Sequence, residues 1–62
     1  MSSITITASL TEAEALAFAQ FLKRVGWNEY RINAVDENET YLMRDAGYKI
    51  QDALAEQGFA PR

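Results

Sequence analysis

The 62-residue chain has no cysteine and no histidine. Disulfides and zinc, the staples on which domains this small often depend, are therefore excluded, and thiol and imidazole catalysis go with them. Glycine is scarce at three and proline scarcer at one, and no glycine-rich phosphate-binding loop is present. Basic side chains are outnumbered, six against nine acidic, and the resulting charge of -3 opposes the counterion release that drives most nucleic-acid binding. A partner with a basic surface suits such a chain better. No apolar run approaches the roughly 20 residues of a membrane span. Met1-Ser2-Ser3 lacks the basic start and apolar stretch of a signal peptide, so a cytoplasmic location is expected.

What remains is one domain, residues 1–62, able to hide only about 60% of the surface that its unfolded form exposes. The core must be thin, and helix packing or a second chain must make up for it. Ile4-Thr5-Ile6-Thr7-Ala8-Ser9-Leu10 alternates apolar with small polar residues and is rich in β-branched types, which predicts a strand with Ile4, Ile6 and Ala8 facing a core. Thr11 and Glu14 have the spacing of a capping box, so a helix is expected from there, with Ala15, Phe18, Ala19, Phe21, Leu22 and Val25 on one face. Gly26 is placed to end it in the left-handed conformation, with Trp27 returning onto Leu22. Asn28 can cap a short turn over Glu29, Tyr30, Arg31 and Ile32, and Asp36 with Glu39 repeats the capping-box spacing.

A second long helix is expected over 37–57, with Leu42, Met43, Ala46, Ile50, Ala53 and Leu54 on its apolar face and an i,i+4 pair between Asp45 and Lys49. Gly58 ends it with Phe59 returning onto Leu54, and Pro61 prevents resumption. Gly47 interrupts this helix at about 1 kcal/mol relative to alanine, and close approach of another backbone is the expected reason. The fold class expected is thus α+β, an N-terminal strand and two main helices joined by a short helical turn. An isolated strand leaves amides and carbonyls unpaired, so pairing across a homodimer or addition to a partner's sheet is expected, with residues 30–36 of the same chain as the intramolecular alternative.

Strand, threonine-capped helix, then Gly26-Trp27-Asn28 with Ile32 as a core position resembles the ribbon-helix-helix family over residues 4–32. The resemblance implies a dimeric DNA-binding regulator whose paired strands enter the major groove with Thr5, Thr7 and Ser9 outward. Those outward residues include no arginine, lysine, asparagine or glutamine, the side chains that make bidentate base contacts. In size and charge the chain also resembles the small acidic proteins of phages and plasmids, among them anti-CRISPR inhibitors, and this implies action by covering a partner's surface.

Tyr41, Tyr48 and Ala55 recur at seven-residue intervals with Arg44 beside them, and tyrosine and arginine on an exposed helix face are types enriched at interface hot spots. The competing reading is a sandwiched helix with both faces in a core. The residues expected to contact a partner protein are Trp27, Glu29, Tyr30, Arg31, Asp36, Glu37, Glu39, Tyr41, Arg44 and Tyr48, and those expected at a dimer strand are Ile4 to Ser9. Capping alone explains the acids at 36, 37 and 39, since the positive end of a helix dipole favours them by about 0.3–1 kcal/mol each. Asp36-Glu37-Asn38-Glu39 also lacks the spaced ligands and central glycine of a calcium loop. No catalytic residue, metal or cofactor is expected, and a non-enzymatic interaction protein is the leading expectation.

Overall fold

A computed structural model describes residues 2–61 and contains three helices, α1 (Glu12–Arg24), α2 (Trp27–Ile32) and α3 (Glu37–Glu56). The architecture is all-α. No strand is present among the described residues, which overturns the expected α+β class and the strand over Ile4, Thr5, Ile6, Thr7, Ala8 and Ser9. Alternating β-branched residues suit a pleated, half-buried surface, but a strand exists only where a neighbouring backbone completes its ladder. Residues 30–36, the intramolecular alternative, are already committed. The Asn33 and Ala34 amides donate to the Tyr30 and Arg31 carbonyls at 3.2 Å each, and the Val35 amide donates to Glu39 Oε1 at 3.0 Å. Residues 2–10 run as an irregular segment, with Ile4 86% and Ile6 73% exposed.

The start of α1 is the capping box that its sequence encodes. Glu14 N donates to Thr11 Oγ1 at 3.1 Å while Thr11 N donates to a Glu14 carboxylate oxygen at 2.9 Å, so two otherwise orphaned amides are satisfied reciprocally. Hydrogen bonds to the Thr11 backbone and hydroxyl hold the Glu14 carboxyl below its ordinary value of 4.5. The start of α3 is a variant of the same device. Asp36 accepts from the Glu39 amide at 2.8 Å, but the Glu39 carboxylate reaches one residue further back, to the Val35 amide.

The far end of α3 is a Schellman stop. Gly58 has φ +95°, its amide donates to the Ala55 carbonyl at 3.0 Å, and the Phe59 amide donates to Leu54 at 2.9 Å, returning Phe59 onto the core as expected. The end of α1 differs from expectation. Gly26 has φ -109° and serves as the N-terminal cap of α2, so no left-handed turn carries Trp27 back onto Leu22. Because α2 begins at Trp27, Asn28 lies inside it and is not its cap.

Helix α3 is the hub on which both α1 and α2 pack. Its buried stripe is Thr40, Gly47 and Leu54, a seven-residue repeat facing Ala15, Ala19 and Leu22 of α1 and the ring of Tyr30. Thr40 is fully buried, and its hydroxyl is satisfied by donating to the Asp36 carbonyl at 3.0 Å. Gly47 sits where it does because of a side chain, not the expected backbone. A methyl group there would collide with the Tyr30 hydroxyl and lie 3.7 Å from Leu22 Cδ2. The stripe expected to face the core is instead largely outside it, since Leu42 is 61% exposed and Ala46 and Ala53 are also exposed. The core comprises four apolar side chains, Ala15, Ala19, Leu22 and Leu54, with Phe59 at its margin.

Candidate functional site

Packing α2 against α3 brings together side chains separated by fourteen to twenty-one positions in the sequence. Trp27 opens α2, while Tyr41, Arg44 and Tyr48 follow one another at i, i+3 and i+7 on α3, which places them along a single helical face. The Arg44 guanidinium carbon lies 5.0 Å from the centre of the Tyr41 ring, 5.7 Å from Tyr48 and 5.8 Å from Trp27. Trp27 and Tyr41 are themselves in contact, with centroids 4.8 Å apart and planes tilted by 57°. This inclined geometry suits the ring quadrupoles better than a face-to-face stack.

Asp45 Oδ1 accepts from Arg44 Nη2 at 3.1 Å and from Nε at 3.3 Å. The expected pairing of Asp45 with Lys49 is therefore replaced by one with its immediate neighbour. The reason is local: a guanidinium held among three rings already stands beside Asp45, whereas a lysine one turn away would give up side-chain freedom to reach it. Each cation-π contact is worth about 0.5–1 kcal/mol at an exposed site. Together they favour one arrangement of four large side chains that stay open to solvent, Trp27 being 38%, Tyr41 44% and Tyr48 55% exposed. The result is an ordered aromatic surface with a neutralised cation at its centre. Ordering of this kind lowers the entropic penalty of forming an interface.

The remaining expected contact residues divide. Tyr30 points inward against Gly47 and is a packing residue. Asp36 and Glu39 are engaged in capping α3. Glu29 folds back, with a carboxylate oxygen 3.2 Å from where a Gly26 side chain would begin, near the positive end of α2. Arg31 and Glu37 are exposed, and Glu37 lies in the first turn of α3.

A second surface was not expected from sequence. Ile6, Leu10, Phe18, Phe21, Ile50 and Phe59 line an open groove of about 1110 Å³ between the N-terminal segment, α1 and the end of α3. Phe18 and Phe21 stack on each other at 5.6 Å along its wall and are 42% and 53% exposed. The signal was present in sequence as the width of the α1 apolar face, which spans more than one small helix can cover.

Fold and site together define a small helical protein organised on a central helix and carrying an arginine-anchored aromatic surface. The model of DUF7706, a family of unknown function, matches residues 1–62, and the chain belongs to that family. No curated protein and no solved structure matches it. No helix among the described residues is long and apolar enough to cross a membrane.

Proposed function

We propose that the protein is a non-enzymatic interaction module that engages a partner protein through Trp27, Tyr41, Arg44 and Tyr48 and acts by occupying the partner's surface. The observation that carries this reading is the Arg44 guanidinium ringed by three partly exposed aromatic side chains and balanced by Asp45. Tryptophan, tyrosine and arginine are the types that dominate interface energetics, because they contribute large apolar area together with a polar tip. The same contacts help hold α2 on α3, and they leave the three rings partly exposed for a partner to cover. With a net charge of -3 and Glu37 exposed at the head of the same helix, a basic partner surface is the complement.

Affinity capture from the source cell, with bound proteins quantified for wild type, Tyr41→Ala and Arg44→Ala, tests the reading. One protein enriched by wild type should fall at least about 30-fold with each variant, since a hot-spot truncation removes 2 kcal/mol or more. Circular dichroism should show helix content unchanged. Equal recovery with all three baits would refute the assignment of this surface.

A further inference from the structure

We infer that the groove between α1 and the end of α3 is covered by a second copy of this chain, packed helix face to helix face. This interface is separate from the aromatic cluster and independent of its proposed role. Three observations lead to it. The core is small, four apolar side chains with Phe59 at its margin in a molecule of 33 × 28 × 16 Å. Its radius of gyration, 12.6 Å, exceeds the roughly 10.6 Å of a compact chain of this length. Its accessible surface is 5307 Å², against about 4000 Å² for a compact protein of 7.0 kDa.

The excess, about 1300 Å² per chain with the exposed N-terminal segment included, is within the range that each subunit of an obligate homodimer removes from water. The uncovered area is also of the right kind, because Ile6, Leu10, Phe18, Phe21 and Ile50 are exposed while the core holds only four apolar side chains. Area and the smallness of the core point to a second copy as the occupant. The groove is lined by no basic residue, and its two acids, Glu14 and Glu56, stand amid apolar neighbours. A second copy brings the same apolar centre together with its own two acids, whose repulsion added salt relieves. The contact uses helical side chains and involves no pairing of strands.

The test is analytical ultracentrifugation of the full chain from about 1 to 300 μM, with melting followed over the same range. The expected result is a mass twice 7.0 kDa at the upper end and a Tm that rises with concentration. Added salt should tighten association, because two chains of charge -3 repel and screening relieves them. Phe21→Lys should weaken association by at least 30-fold. Ala53→Arg is the companion variant, because this exposed alanine takes a good helix former without touching a buried contact of the single chain, and it should weaken association while helicity is retained. Arg44→Ala should leave the dimer intact, which separates this proposal from the partner-binding one. A mass of 7.0 kDa at 300 μM with a constant Tm would overturn the inference. A dimer that survives both groove variants, or that salt dissociates, would overturn it equally.

Discussion

Replacing Gly47 by alanine sets two effects of known sign against each other. In an exposed helix interior the change stabilises by about 1 kcal/mol, because glycine carries the larger conformational entropy into the unfolded state. Here the new methyl group meets the Tyr30 hydroxyl, with Cζ of the same ring at 3.4 Å and Leu22 Cδ2 at 3.7 Å. Tyr30 is half-buried and its ring has few alternative rotamers, so α2 must shift to make room, and overpacking of this kind costs about 1–3 kcal/mol. The net expectation for Gly47→Ala is a loss of about 0–2 kcal/mol where the helix alone would gain. Removing only the hydroxyl with Tyr30→Phe takes away the clashing atom and leaves ordinary contacts, so in that background Gly47→Ala should recover the gain of about 1 kcal/mol. A double-mutant cycle by urea denaturation at one fixed protein concentration measures the coupling, expected at about 1–3 kcal/mol. Stabilisation by Gly47→Ala to the same extent in both backgrounds would refute the packing of α2 against α3.

Other perturbations have equally definite signs. The Glu14 carboxyl is held below 4.5 by its hydrogen bonds to Thr11, so its contribution to stability is present above that pH and is lost as pH falls through the folded value. Glu14→Gln should flatten this part of the acid titration followed by circular dichroism, and an unchanged acid limb would remove the capping box from the account. Gly58→Ala forces a side chain into φ +95° and should destabilise by about 1 kcal/mol in the same denaturation assay, although open space surrounds the site. Leu54→Ala removes one of the two large side chains in the core and should cost about 2–5 kcal/mol, enough to abolish the melting transition of so small a domain. Arg44→Lys keeps the charge but loses the planar fork that lies among the rings, so Trp27 fluorescence should shift toward that of solvent-exposed indole.

Local chemistry was legible in the sequence because its determinants lie a few residues apart. Thr11 with Glu14, Asp36 with Glu39, and Gly58 with Phe59 each specify a helix end through spacing alone, and the structure uses all three. The N-terminal strand was misread because alternation reports a preference while pairing is a relation between two segments, and residues 30–36 had spent their amides on α2 and the cap of α3. Along α3 the buried stripe was missed because two of its members are threonine and glycine. Hydrophobic periodicity selects Leu42, Ala46 and Ile50, but a core this close to its neighbours admits Thr40 and Gly47, whose smallness lets α1 and Tyr30 approach. The aromatic cluster was half visible. Tyr41, Arg44 and Tyr48 follow from their spacing on one helix, whereas Trp27 joins them only because Gly26 keeps a negative φ and begins a new helix where a left-handed stop was expected.

The central claim, that Trp27, Tyr41, Arg44 and Tyr48 form the surface through which this protein works, is tested most directly by photo-crosslinking inside the source cell. With a benzophenone amino acid in place of Tyr48, the account predicts one dominant adduct to a different protein, strongly reduced when Arg44→Ala is added. Adducts scattered over many proteins, or to nothing but further copies of the chain itself, would contradict it.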